Sequence, residues 1–283
     1  MEIQREENHE DRPRRIGPRR GGRARLSDLL ERIVTARRAS LTRERAVGGP
    51  RNTGAAGRGP APIRSFETAL RAPGRRIIAE IKRRSPSAGA IREPLDPSEI
   101  AQVYARFGAA ALSVLTEADF FGGSDADLAA ARAACPLAVL RKDFILDLEQ
   151  IAESRAIGAD AVLLLAAVLS PSELAELRTA AAEAGMAALV EVHDERELDS
   201  ALGAGASIVG VNSRDLRDFS VDLSRAERLA PRIPGGVVRV AESGITTARD
   251  LARLEGAGFS VFLVGESLLR APDPGARLRE LLA

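Results

Sequence analysis

From about residue 75 onward, short apolar runs alternate with longer segments whose apolar residues recur every third or fourth position. The runs fall at 77–81 (IIAEI), 110–116 (AALSVLT), 137–142 (LAVLRK), 161–165 (AVLLL), 187–192 (AALVEV), 207–212 (SIVGVN), 237–242 (VVRVAE) and 261–265 (VFLVG). Their length and β-branched content predict strands, and the intervening segments, such as DPSEIAQVYARFG and SPSELAELRTAAAEAG, predict helices, several ending in Gly. Strands spaced by helix-length gaps predict a parallel α/β fold. Eight such units match a closed (β/α)8 TIM barrel. A doubly wound open sheet is the alternative, but no GxGxxG follows the first strand to make a dinucleotide crevice.

Ahead of the repeats the pattern changes. Residues 1–25 are rich in Arg, Glu, Pro and Gly with almost no apolar residue, which predicts a disordered charged arm. Leu26, Leu29, Leu30, Ile33 and Val34 then recur at helical spacing, with Ser27 placed to cap the helix and Asp28 and Glu31 in its first turn. A Gly/Pro-rich linker occupies 48–63. The expected organisation is therefore an arm (1–25), a helical extension with its linker (26–72) and a catalytic barrel (73–283).

Counting by twos along the predicted strands tests the barrel, because alternate side chains face its lumen and chemistry sits at the C-terminal strand ends. Ile78, Glu80 and Lys82 share a face, as do Leu140, Lys142 and Phe144. So do Leu189, Glu191 and His193; Ile208, Gly210 and Asn212; and Val238, Val240 and Glu242. Each face starts apolar and carries a polar residue toward its C-terminal end, the signature of a packed floor under a polar mouth. That mouth would hold Glu80, Lys82, Lys142, Glu191, Asn212 and Glu242. Three carboxylates around two lysines favour the ammonium form, which suits proton donation better than amine attack. A solvated ring of salt bridges is the bland alternative.

Composition sharpens this. Of 41 basic residues only Lys82 and Lys142 are lysine, and both lie at predicted strand ends. Arginine does not readily give up a proton, whereas an ammonium can be tuned to do so. A net charge of +1 argues against a body built to grip nucleic acid or an anionic membrane. The single cysteine, Cys135, excludes an internal disulfide and reads as a buried structural thiol. With His9 and His193 the only histidines, and His193 read as a helix-entry or packing residue, no metal site is expected. The longest apolar run, 161–169, is about half a membrane span, and the N-terminus lacks the apolar core of a signal peptide, so a cytoplasmic location is expected.

Two further signals concern a ligand. Ser243 and Gly244 follow the seventh predicted strand, and Gly265 and Glu266 the eighth. Small residues there let backbone N–H groups approach a phosphate, helped by a following helix start. Phe120, Phe121 and Phe144 lie at strand exits in a chain with few aromatics, which suggests an apolar or flat substrate part. Ser85 and Arg214 are candidate donors to a carboxylate.

With these residues in hand, the chain resembles the indole-3-glycerol-phosphate synthase family of tryptophan biosynthesis. The resemblance spans about residues 26–283 and rests on IIAEIKRRSPSAG, SVLTEADFFGGS, LRKDFILD, LVEVHDERELDSAL, GVNSRDLRDFSVD, VAESGI and FLVGESLLR, in family order. It implies a (β/α)8 barrel with an N-terminal helical extension over its mouth. It also implies ring closure of a phosphorylated anthranilate-derived aminodeoxyribulose with loss of carbon dioxide and water, without cofactor or metal. By resemblance, Lys142 protonates the ketone oxygen, Glu191 acts as base, and Glu80 and Lys82 assist proton transfer. Asn212 and Glu242 orient these groups, and Ser85, Phe121, Phe144 and Arg214 hold the anthranilate part. Ser243, Gly244, Gly265 and Glu266 hold the phosphate. The arm and the Gly/Pro-rich linker depart from the family pattern.

The expected partner is a small phosphorylated molecule rather than nucleic acid or membrane, with the chain a monomer. A Schiff-base aldolase on the same fold is the enzymatic rival, since a lumen lysine can attack a carbonyl. A phosphoribosylanthranilate isomerase fits less well, because Cys135 precedes the third strand instead of ending it. The Arg-rich arm could instead mark a nucleic-acid-associated protein, but its acidic residues dilute the charge and it lacks aromatics for stacking.

Overall fold

The computed structural model describes residues 28–46, 61–215 and 217–283. The predicted arm at 1–25, Leu26, the proposed cap Ser27 and residues 48–60 of the linker lie outside the described residues.

Eight parallel strands close into a barrel: β1 (Arg76–Ile81), β2 (Ala111–Leu115), β3 (Val139–Lys142), β4 (Ala161–Leu165), β5 (Ala187–Val192), β6 (Ile208–Asn212), β7 (Val238–Glu242) and β8 (Val261–Val264). Each pairs with its neighbours in sequence, and β8 pairs back onto β1 with Arg76 opposite Val261. Every predicted strand is present, with ends within two residues of those read from the pattern. Nearly all strand residues are buried, as expected where one face packs the lumen and the other a helix layer. A small antiparallel pair, Arg84–Ser85 with Gly89–Ala90, stiffens the loop after β1.

Among the described residues, six of the seven α-helices between the barrel strands start where the sequence supplies a cap, the exception being Ser224–Leu229 after Leu223. Asp96, Ser124, Asp147, Ser170, Asp194 and Thr247 each accept a backbone N–H in the first turn of the helix that follows. Such a cap contributes on the order of 1 kcal/mol, so these residues fix where each loop stops and hence how far the loops at the C-terminal strand ends reach.

Two N-terminal helices bracket the barrel. Phe66–Arg71 sits at the N-terminal strand ends, where Arg71 donates to the Gly236 carbonyl at 2.9 Å and Ser207 donates to Glu67 at 3.0 Å. Its Phe66 and Leu70 are buried. At the opposite end the long helix Asp28–Ala46 buries Leu30, Ile33, Val34 and Leu41. Arg45 near its end pairs with Asp147 and Glu149, both at 2.9 Å. Arg45 is half exposed, so those ion pairs orient more than they stabilise. The apolar stripe holds the helix down, at about 1.5–3 kcal/mol per fully buried side chain. Among the described residues no helix is long and apolar enough to cross a membrane.

Candidate active site

A cavity of about 540 Å³ opens at the C-terminal strand ends, between the barrel floor and the helix Asp28–Ala46. Its floor is apolar, from Leu115, Leu163, Leu165 and Leu263, and its roof includes Leu29, Leu30 and Ile33. All fourteen residues singled out in the sequence as catalytic or substrate-binding candidates line it.

Lys142, the last residue of β3, stands at the centre. Its Nζ lies 2.9 Å from Glu191 Oε2 on β5 and 2.6 Å from Glu242 Oε2 on β7. Asn212, ending β6, donates from Nδ2 to Glu191 Oε1 at 3.0 Å. Glu80 on β1 forms a second pair with Lys82 at 2.7 Å and accepts from Ser113 at 3.4 Å. Barrel closure brings together residues more than a hundred positions apart because each ends a strand on the same rim.

Burial and neighbouring charge oppose each other here, and charge wins for two of the three central groups. Desolvation pulls the Lys142 ammonium down, but Glu191, Glu242 and Glu80 outweigh it and hold it well above the usual lysine range. Burial would raise Glu191, yet the Lys142 ammonium, the nearby His193 ring and the Asn212 amide hold it below the usual carboxylate range. Glu242 goes the other way: burial, with Glu191 and Glu80 nearby, raises it despite Lys142. The site therefore holds a firm ammonium, a firm carboxylate and a carboxyl that readily keeps a proton. Environments that push titratable groups apart in this way mark acid and base roles.

Glycine makes room for this cluster. A Cβ on Gly210 would collide with Glu242 Oε1, and one on Gly265 would lie 2.7 Å from Glu80 Oε1.

On one side of the cluster Phe121 and Phe144 face each other with ring centroids 6.4 Å apart, tilted by 39°. Ser85 and Arg214 also line the cavity, and Arg214 is steadied by a hydrogen bond from Nη1 to the Phe219 carbonyl at 3.1 Å. Phe120, grouped with them in the sequence, does not line the cavity. On the other side lie Ser243 (φ 64) and Gly244 (φ 78), consecutive left-handed residues after β7. A serine held there stores backbone strain, which concentrates at functional sites. Ser267 ties this loop to the one after β8 by donating to the Ile245 carbonyl at 3.1 Å. The helix that follows β8, Glu266–Leu269, is only four residues, so the dipole expected of it is short. Glu266 turns its carboxylate to Arg270 Nε at 3.0 Å, which neutralises the acidic side chain of that loop.

Sequence reasoning missed several cavity residues. Arg270, Phe219 and Val221 sit in loops without periodicity, and Leu29, Leu30 and Ile33 gave a helical signal that did not say which surface they cover. The sequence predicts a packing or helix-entry role for His193. It does precede the cap Asp194, but it also lies behind Glu191, with Nε2 3.5 Å from Glu191 Oε1. Among the described residues no cluster of three or more His, Cys, Asp or Glu is arranged to hold a metal ion.

The model of one family, indole-3-glycerol phosphate synthase, matches residues 30–281. The chain belongs to the indole-3-glycerol phosphate synthase family. Indole-3-glycerol phosphate synthase 2 of Streptomyces coelicolor is 49% identical over 257 residues, covering 91% of this chain and 100% of that protein. The family member from Carboxydothermus hydrogenoformans is 52% identical over 208 residues, covering 73% of this chain and 79% of its own length. Among solved structures, 3-hexulose-6-phosphate synthase from Salmonella typhimurium superposes with a TM-score of 0.58 at 16% identity, covering 73% of this chain and 96% of that one. At that identity the likeness shows the shared barrel and nothing of the chemistry.

Proposed function

We propose that this chain catalyses the family reaction, converting 1-(2-carboxyphenylamino)-1-deoxyribulose 5-phosphate to indole-3-glycerol phosphate, carbon dioxide and water. The observation that carries the reading is the Lys142 ammonium clasped by Glu191 and Glu242 between an aromatic pair and a strained Ser-Gly turn. The substrate has a matching order: aromatic carboxylate, ketone-bearing chain, phosphate. Anchoring both ends folds a flexible molecule so that its two reacting carbons meet, which removes much of the entropic barrier.

In this reading Phe121 and Phe144 bracket the aromatic ring while Ser85 and Arg214 hold its carboxylate. Ser243, Gly244, Gly265 and Glu266 receive the phosphate through their backbone. As the aromatic carbon bearing the carboxylate attacks the ketone carbon, Lys142 gives its proton to the ketone oxygen, which becomes a hydroxyl. Loss of carbon dioxide returns the bonding electrons to the ring. Glu191 then takes a proton from the carbon next to the nitrogen while the hydroxyl receives one from Lys82, paired with Glu80, and leaves as water, with Asn212 and Glu242 orienting the groups. The chain works on this small phosphorylated molecule as a cytoplasmic monomer, without a nucleic-acid or membrane partner.

A lysine pressed between carboxylates argues against the Schiff-base aldolase, since that chemistry needs a free amine. The test is to mix the protein with the substrate and follow indole emission, which is clean because the chain has no Trp. Rising emission supports the synthase. No emission from folded protein, together with a borohydride-trapped adduct on Lys142, would replace it with the aldolase.

A further inference from the structure

His193 follows β5 directly and is held from one side by Glu197. Its backbone N–H donates to Glu197 Oε2 at 2.7 Å, and its Nδ1 lies 3.1 Å from the same oxygen. Glu197 is itself fixed in the first turn of the helix Glu195–Gly203, donating its N–H to the cap Asp194 at 2.9 Å. The imidazole therefore cannot swing freely, and its far end, Nε2, points to Glu191 Oε1 at 3.5 Å. That nitrogen is buried and has no hydrogen-bond partner among the described residues. It does not reach the cavity, so nothing in the proposed reaction uses it directly.

The charges facing the ring are Glu191 from β5, Glu197 from the following helix and Arg225 from the helix Ser224–Leu229 after β6. Arg225 is itself occupied, by the Asn212 carbonyl at 3.2 Å and Asp215 at 3.4 Å. A neutral ring protonated only on Nδ1 would aim a lone pair at a carboxylate oxygen. A ring protonated only on Nε2 would aim one at Glu197. The doubly protonated ring satisfies both carboxylates.

We propose that His193 is a positioning residue for Glu191: as an imidazolium pinned by Glu197, it holds the Glu191 carboxylate ionised and turned toward the cavity. This rests on the reading of Glu191 as the base and deepens it. Once Lys142 has passed its proton to the substrate, Glu191 has lost one of its two cationic neighbours. His193 is the one that stays charged through the cycle, so Glu191 remains an ionised base for the dehydration step. Burial alone would favour a neutral ring, but the two carboxylates outweigh it and raise the imidazole above its ordinary range.

The chain has only two histidines, which makes the charge state directly readable. In ring nitrogen–proton correlation spectra, with His9→Gln used to assign the signals, both nitrogens of His193 are expected to be protonated at neutral pH. His193→Asn is expected to leave KM within about twofold, lower kcat about tenfold and move the acid limb of the kcat profile up by about one pH unit, a tenfold change in proton affinity. Glu197→Gln leaves the ring in place and is expected to lower the His193 titration and move the same limb the same way by less. It carries the kinetic test if the His193 variant fails to fold. A neutral His193 at neutral pH, or an unmoved acid limb in folded variants, would overturn the proposal, including when the only change is a lower Tm. A protonated His193 in a protein without synthase activity would instead leave the charge state standing and remove the reaction it was assigned to.

Discussion

Glu242 reaches Lys142 Nζ at 2.6 Å with Oε2, while its Oε1 is buried over Gly210 and accepts no hydrogen bond among the described residues. A carboxylate left half unpaired in a dry place favours its protonated form. Burial, helped by Glu191 and Glu80, pushes the Glu242 carboxyl up to about 7 against the pull of Lys142.

That shift has a sign. A folded-state pKa raised above the ordinary 4.5 contributes stability that is complete at low pH and is lost as pH climbs through about 7. Glu191, held low, behaves oppositely and loses its contribution as pH falls below the ordinary carboxylate range. Wild type should therefore lose Tm relative to Glu242→Gln as pH rises from about 5 to about 8, since the amide has no proton to lose. Parallel Tm curves across that range would show that Glu242 does not titrate there.

Lys142→Arg keeps the positive charge between Glu191 and Glu242 but removes a usable acid. Loss of a positioned general acid typically costs about 10²–10⁴-fold, so kcat should fall by that order with little change in Tm. An arginine variant within tenfold of wild type would remove Lys142 from the acid role.

Gly244 sits at φ 78, and a Cβ there would run into the Val221 side chain. Gly244→Ala should raise KM for the phosphorylated substrate by distorting the turn proposed to receive the phosphate, with a strain cost of about 1–3 kcal/mol. Adding Val221→Ala removes the collision but not the left-handed strain, so it should recover part of the loss. Independent, additive effects of the two substitutions would contradict this contact.

Far from the cavity, buried Asp160 accepts from the Arg64 N–H at 2.8 Å, Arg132 Nη2 at 2.9 Å and the Val139 N–H at 2.9 Å. Asp160→Ala leaves the Arg64 and Val139 N–H groups without this acceptor and removes the carboxylate paired with Arg132, whose Nη2 keeps the Pro62 carbonyl at 2.7 Å. Breaking a buried pair in this way costs about 3–5 kcal/mol. Urea unfolding should show that loss, with KM in the surviving folded protein unchanged. A loss under about 1 kcal/mol would mean that water replaces the carboxylate.

Much of the site was legible before any coordinates. Period-two alternation identifies lumen faces because a strand's geometry leaves no freedom about which side chains share a side. The restriction of lysine to 82 and 142 drew attention to the same rim. The loops were less legible. Phe120 and Phe121 are adjacent, and no local pattern says that only Phe121 turns inward. His193 looked ordinary because it stands between a strand and a helix cap, where a packing role is common, and nothing local shows that its ring turns back toward Glu191 on β5.

The strands, the helices between them and the lumen-facing residues follow from the sequence because they depend on local periodicity and cap chemistry, which nearby residues settle among themselves. Closure rests instead on the pairing of β8 with β1, far apart in the chain. The pairing of Lys142 with both Glu191 and Glu242, the upward shift of Glu242, the roof from Leu29, Leu30 and Ile33, and the approach of His193 to Glu191 were decided by tertiary structure alone. These depend on distances of a few ångströms between groups far apart in the chain and on how much water the closed barrel excludes, and neither quantity is encoded at any single position.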